Sequence, residues 1–212
     1  MKNELIKRIL SSIVLIPLSL YVIIEGSIFF NLFLLIIFFI SIFEWHKMVN
    51  HYFHKFLGIL FLLVSFYSIH KIRFYSENEY WILLYIVCIC ILTDIGGYTF
   101  GKLFKGPKLT KFSPNKTISG MIGAFLLSTI SLGLFVFNSK IIEDSPINLL
   151  ILTLLISGIS QLGDIIISYF KRLYNLKDTG KIIPGHGGLL DRIDGMIFAF
   201  PFAYFFFIID LF

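Results

Sequence analysis

Charge is scarce in this sequence: Asp, Glu, Lys and Arg together make up 15% of 212 residues, against about 25% in ordinary soluble domains. Cysteine is scarcer still, with two residues, which excludes a disulfide scaffold. Heptads are missing, so a coiled coil is excluded. A polar low-complexity tract is missing too, and with it the composition of a disordered chain. Hydrophobic residues fill the space left over, at 57% of the chain and including 25 Phe. The mean hydropathy is +0.88, and a soluble core of this size cannot house that much aromatic surface. The composition is that of a polytopic membrane protein.

Spanning about 30 Å of hydrocarbon takes roughly 17–25 mostly apolar residues in a helix. Seven runs approach that length, near 9–24, 27–44, 56–70, 80–100, 117–137, 147–170 and 195–212. They are unbroken rather than alternating, which argues against a β-barrel. The expected fold is therefore all-α, a bundle of about seven transmembrane helices forming one integral membrane domain over 1–212. Within it, 1–93 supplies N-terminal helices, 94–194 the polar motifs and 195–212 a final helix. Lys2, Lys7 and Arg8 precede the first run, but Pro17, Glu25 and Gly26 form no small-x-small cleavage site, so this run is expected to be a retained helix. Small residues at Gly120, Gly123, Ala124 and Ser128 suit close helix packing.

Orientation follows from the basic residues. With the N-terminus in the cytoplasm, fifteen of the 18 Lys and Arg fall on the inner side, leaving Lys71, Arg73 and Lys140 outside. The C-terminus is then external. The expected location is the cell's inner (plasma) membrane, with the polar loops cytoplasmic. Basic groups clustered at membrane ends do not make a nucleic-acid surface. Cys88 and Cys90, two apart on one helix, point to nearly opposite sides, so packing is their expected role.

Carboxylates near hydrocarbon are costly and mark function. Asp94 closes an apolar run in TDIGGYTFG, Asp164 lies in SQLGDIIISYFKR, and Asp191 and Asp194 occur in GGLLDRIDG. Gln161, Asp164, Ser168 and Lys171 are spaced three, four and three apart, so one helix carries them along a single stripe. Ile165, Ile166 and Tyr169 are expected on its opposite side. Downstream, Gly180, Gly185, Gly187 and Gly188 surround His186. Glycine lets main-chain N–H groups approach phosphate oxygens. Lys171, Arg172, Lys177 and Lys181 precede this loop, and Arg192 follows it. Carboxylate oxygens with no Cys and little His suit Mg²⁺, and the cations suit phosphates. Phosphoryl or nucleotidyl transfer involving a lipid is the chemistry this combination selects. No nucleophile elbow or GxxxxGK[ST] loop is present.

The stretch from Ser168 to Asp194, SYFKRLYNLKDTGKIIPGHGGLLDRID, resembles the signature of the phosphatidate cytidylyltransferase (CDP-diacylglycerol synthase) family. That pattern's fixed positions are filled by Ser168, Lys171, Arg172, Lys177, Asp178, Gly180, Pro184, His186, Gly187, Gly188, Asp191, Arg192 and Asp194. DIGGYTFGKLFKG from Asp94, SPNKT from Ser113 to Thr117 and SQLGD from Ser160 to Asp164 resemble further blocks. Two positions depart from common family choices: Ile167, where an acidic residue often stands, and Ser119, where Glu often stands.

The resemblance implies transfer of CMP from CTP to phosphatidate, giving CDP-diacylglycerol and pyrophosphate, with membrane lipid as the setting. It implies Mg²⁺, with K⁺ as the candidate second cation. Asp164, Asp191 and Asp194 are the implied metal ligands, with Asp94 as an additional candidate. Asp164, Asp191, Ser168 and Lys171 are the implied catalytic set. Arg172, Arg192, His186, Gly187, Gly188, Ser113, Lys116, Thr117, Lys177 and Asp178 are expected to bind substrate. A homodimer is compatible with the sequence. An ion-coupled carrier would show inverted repeats, which are absent. A CDP-alcohol phosphotransferase would need D-G-x2-A-R, whereas Asp194-Gly195 is followed by MIFAF.

Overall fold

Apolar residues on every side of a helix leave the backbone's own hydrogen bonds as the way to satisfy its polar groups in lipid. The computed structural model, which describes residues 2–74, 79–111, 113, 116–136, 146–185 and 187–208, is built accordingly. Its helices are α1 (Lys2–Glu25), α2 (Ser27–Met48), α3 (Tyr52–Arg73), α4 (Glu79–Phe104), α5 (Ile118–Ser128), α6 (Ile130–Val136), α7 (Pro146–Leu173), α8 (Leu190–Ile193) and α9 (Met196–Ile208). Among the described residues, strand geometry is confined to two isolated bridges. α2, α3, α4 and α7 are long and apolar enough to cross a membrane, and three shorter apolar helical stretches accompany them. Large apolar side chains such as Ile13, Phe39, Phe43 and Leu126 point outward, as lipid-facing surface requires. The protein is a polytopic helical membrane protein.

Over its described residues each apolar run corresponds to a helix, with one difference; 137 and 209–212, the ends of two runs, lie outside the described residues. The run over 117–137 is broken at Thr129 into α5 and α6. Ser128 donates to Phe125 O at 2.8 Å, Thr129 to Leu126 O at 2.7 Å and Ser131 to Ser128 O at 2.6 Å. Three hydroxyls bonding carbonyls of the preceding turn loosen a helix at that point.

The turn between α1 and α2 needs Gly26, whose φ of +68° is left-handed and whose Cβ position is taken by the Arg73 guanidinium. Arg73 is buried and donates to Ile23 O at 2.8 Å and Ile24 O at 3.2 Å. It thereby satisfies carbonyls at the end of α1 that have no helical partner.

Glycine and serine decide how closely the polar helices approach. A Cβ on Gly96 would lie 2.8 Å from Ala124 Cα, and one on Gly120 would lie 2.7 Å from Gly97 O. α4 and α5 therefore pack backbone to backbone, and Gly120, Gly123, Ala124 and Ser128 are buried as the packing reading expects. α7 meets α9 in the same manner. A Cβ on Gly163 would sit 2.9 Å from Asp194 O, and one on Gly195 would sit 2.9 Å from Ser160 O. α4 and α7 are joined through hydroxyls, Tyr85 with Thr153 at 2.5 Å and Thr93 to Ser157 at 2.8 Å. Cys90 is buried in the core and Cys88 is half-buried, and both are free thiols.

Two apolar clusters flank this polar seam. One joins Ile82, Ile86 and Ile89 of α4 to Leu152 and Ile156 of α7 and to Phe200 and Ala203 of α9. The other gathers Trp45, Met48, Leu62, Ile167 and Ile197 around Leu190 of α8. The second forms the floor beneath the loop that carries the polar motifs.

Candidate active site

α4, α5 and α7 converge with the 178–194 segment around a cavity of about 440 Å³. Asp94 and Gly97 come from α4, Met121 and Ala124 from α5, and Gln161, Asp164, Ile165 and Lys171 from α7. Ser113, Lys116 and Thr117 enter from the loop ahead of α5, and Asp178, Asp191, Arg192 and Asp194 from the loop after α7. Segments far apart in the chain thus bring five carboxylates and three cations to one space. Most of the helical stripe expected on α7 faces it. Ile165, expected on the opposite side, also lines it, so the cavity wraps further around α7 than the polar stripe alone.

Among the described residues, two ion pairs stand out in this space. Lys116 Nζ lies 2.5 Å from Asp164 Oδ2, with both side chains about one quarter exposed. Lys171 Nζ donates to Asp191 Oδ1 at 2.8 Å, and this pair is more buried. The other oxygen of Asp191, Oδ2, accepts from Thr179 N at 2.8 Å and Gly188 N at 3.2 Å. Ser168 does not line the cavity; its hydroxyl lies 3.4 Å from Asp164 Oδ1, a weak contact by length. Asp194 is buried and its Oδ1 accepts from Gly195 N at 3.0 Å. Burial, and after it the Asp164 carboxylate, hold the Asp194 carboxyl well above the ordinary carboxylate range.

The loop ahead of α5 is shaped by its own hydrogen bonds. Leu109 N donates to Lys116 O at 2.8 Å, and Lys116 N to Ser113 O at 3.0 Å. Thr117 is the N-cap of α5, its hydroxyl accepting from Gly120 N at 3.1 Å. Thr117, expected to bind substrate, thus has a structural part as the helix cap. Ser119 anchors the same turn by donating to Lys105 O.

Other expected residues lie elsewhere. Arg172 Nη1 donates to Leu176 O at 3.2 Å, closing the end of α7, and neither Arg172 nor Lys177 lines the cavity. Gly187 and Gly188 do not line it either. The Gly188 amide goes to Asp191 rather than facing outward, so the glycine loop serves a protein carboxylate where an incoming phosphate is the expected partner. His186, Pro114 and Asn115 fall outside the described residues.

Comparison with known proteins adds the decisive observation. Residues 51–210 match the model of the cytidylyltransferase family. The chain belongs to the cytidylyltransferase family. It is 35% identical over 216 residues to a phosphatidate cytidylyltransferase of Rickettsia bellii, an alignment covering 96% of this chain and 91% of that protein. The phosphatidate cytidylyltransferase of Bacillus subtilis is 37% identical over 156 residues, covering 70% of this chain and 55% of the relative. That of Staphylococcus aureus is 41% identical over 150 residues, covering 68% and 55%.

One buried carboxylate of this cytidylyltransferase escapes the sequence reading. Glu44 of α2 is 1% exposed. Its Oε1 accepts from Leu189 N at 3.0 Å, and its Oε2 from Leu190 N at 2.8 Å and the Thr179 hydroxyl at 3.2 Å. The signal was available, since Glu44 closes an apolar run just as Asp94 does. A single acid at a run's end also suits an interface, so position in the sequence does not by itself mark Glu44.

The donor set bears on which ion the cavity could hold. Among the described residues its lining includes Asp94, Asp164, Asp178, Asp191 and Asp194 and neither Cys nor His. Among the described residues, no group of three or more His, Cys, Asp or Glu side chains forms a metal cage. Mg²⁺ ordinarily takes one or two carboxylates and completes its shell with water and substrate phosphates. The residues therefore fit Mg²⁺ held jointly with a nucleotide. Asp164 and Asp191 each already hold an ammonium group, so both stand where positive charge is wanted.

Proposed function

We propose that this cytidylyltransferase transfers CMP from CTP to phosphatidate, releasing pyrophosphate and forming CDP-diacylglycerol. The observation that carries the proposal is the cavity in which Lys116, Lys171 and Arg192 face carboxylates between membrane helices. A water-soluble triphosphate and a lipid phosphate both have reason to meet there. The kinship with phosphatidate cytidylyltransferases supports the choice of substrates.

The reaction needs little proton chemistry. Phosphatidate's phosphate is anionic near neutral pH, so an oxygen of it attacks the α-phosphorus of CTP without a general base, and pyrophosphate leaves. The barrier comes from bringing two polyanions together. Alignment and charge neutralisation therefore dominate. Lys116, Lys171 and Arg192 supply fixed positive charge, and Ser113 and Thr117 offer hydroxyls at the same wall. Asp164 would hold Mg²⁺, with Asp191, Asp194 or Asp94 completing the protein's share and K⁺ as the candidate second cation. The ion, when bound, neutralises phosphate charge and polarises the phosphorus. As the nucleotide arrives, Lys116 and Lys171 would exchange their carboxylates for phosphate oxygens. Asp191 would still be held by Thr179 N and Gly188 N.

The proposal extends to placement. The N-terminus and the cavity face the cytoplasm, where CTP is found, and phosphatidate enters sideways from the bilayer. Its test is to incubate the purified chain with CTP and phosphatidate, with Mg²⁺ or with EDTA, and identify the lipid product by mass spectrometry. CDP-diacylglycerol appearing with Mg²⁺ and vanishing with EDTA is the expected outcome. A chain that makes no cytidylylated lipid would refute the proposal, and activity unaffected by EDTA would refute the metal.

A further inference from the structure

Glu44 lies outside the substrate cavity yet grips the loop that builds one wall of it. The described ion pairs do not involve it, and its hydrogen-bond partners are two amides and a hydroxyl of the site loop. Asp191 grips the same loop from the other side, through Thr179 N and Gly188 N. The successive amides of residues 188, 189 and 190 are thus shared between two carboxylates, and Thr179 gives its N–H to one and its hydroxyl to the other. Glycine is needed here for room. A Cβ on Gly188 would lie 2.8 Å from Glu44 Oε2 and 2.7 Å from Gly180 N, and a Cβ on Gly180 would collide with Glu44 Oε1. Two glycines of the loop therefore make space for a side chain that arrives from α2.

We infer that Glu44 is a positioning residue for nucleotidyl transfer. It sets the register of residues 179–180 against 188–190, and so fixes where Asp191 meets Lys171 and where Arg192 and Asp194 face the cavity. Residues 190–193 form a single helical turn, too short to be stable alone. Its geometry depends on what its first amides bond. A glutamine at position 44 has the same shape but one acceptor oxygen, and its NH₂ would confront an N–H donor. A shape-conserving substitution should therefore disturb the loop while leaving the apolar packing of α2 in place.

This inference rests on the functional reading above for its activity arm and on the fold alone for its exchange arm. The test uses the purified full chain in detergent micelles carrying phosphatidate. In Glu44→Gln, kcat should fall at least tenfold while KM for CTP changes less than threefold and the thermal unfolding midpoint stays near wild type. Glu44→Asp, which keeps two acceptor oxygens, should retain more of kcat than the glutamine variant. Without substrate, amide hydrogen exchange across residues 188–193 should be at least tenfold faster in Glu44→Gln, with α4 unchanged. Wild-type kcat together with unchanged exchange in Glu44→Gln would overturn the inference. An equal loss of stability throughout the chain would overturn it too, by reducing Glu44 to general packing. If the wild type makes no CDP-diacylglycerol, the functional reading fails, and the exchange comparison still decides the role of Glu44.

Discussion

Lys116 on Asp164 and Lys171 on Asp191 show how a site for anions tolerates its own acids. At an effective dielectric of about 20, opposite unit charges at 4 Å attract by roughly 4 kcal/mol, enough to hold each ammonium near its carboxylate until phosphate competes for it. Asp164→Ala removes a proposed metal oxygen and frees Lys116. Turnover should fall by at least about a hundredfold, which is roughly 2.7 kcal/mol of barrier, while membrane insertion stays intact; near-normal activity of the purified variant would exclude its metal role. Asp194 offers a test by pH. Its carboxyl is raised by burial and by the Asp164 charge, so the folded chain keeps a proton that the unfolded chain gives up. That contribution to stability is present below the ordinary carboxylate range and is lost as pH rises through the raised pKa. In EDTA, Asp194→Asn should melt above wild type at about pH 8 and approach it near about pH 4. Melting scans at both pH values check the crossing.

Among the elements, the contacts that matter are backbone to backbone. α4 and α5 approach through Gly96, Gly120 and Gly123, and α7 and α9 through Gly163 and Gly195. These approaches bring Asp94 beside the Lys116 loop and Asp164 beside Asp194. Gly163→Leu must push against Phe198 and Asp194 O. Overpacking of this kind costs about 1–3 kcal/mol, and here it also parts two carboxylates of the site. The variant should lose activity by more than its loss of stability accounts for, as measured by kcat beside a thermal unfolding midpoint in detergent. Gly133→Leu, at a glycine with open space around it, should leave both unchanged. The break between α5 and α6 belongs to this scale as well. It was not legible from hydropathy because Ser128, Thr129 and Ser131 do not interrupt an apolar run; their effect appears only when hydroxyls turn back onto the helix.

For the whole molecule, the polar cavity opens among helices whose outer faces are apolar. That arrangement suits a reaction with one substrate in water and one in lipid. In the proposed topology the loop of Lys105, Lys108 and Lys111 and the loop of Lys177 and Lys181 share one side. Single cysteines at Lys108 and Lys181, in a background with Cys88 and Cys90 replaced by Ala, should be labelled by an impermeant maleimide only after inverted membranes expose the cytoplasmic face. One at Lys71 should be labelled from outside. Labelling of Lys108 and Lys71 positions from the same side would break the proposed topology.

The order of amino acids alone determined the membrane class and where the helices run, and it supplied the residues on which the proposed chemistry rests. A hydrocarbon slab imposes run lengths, and polyanionic substrates call for cations and hard oxygens; both demands act on local sequence. The stripe on α7 was legible for the same reason, since three- and four-residue spacings translate directly into one face of a helix. Pairing was decided by the tertiary structure. Nothing within α7 says that Asp164 receives Lys116, a residue from another loop, or that Gly188 turns its amide inward to Asp191. Glu44 meets Thr179, Leu189 and Leu190 across sequence separations of 135, 145 and 146 residues. Contacts over such distances are set by how whole helices pack, and only the folded bundle could turn an acid at the end of an apolar run into the anchor of the site loop.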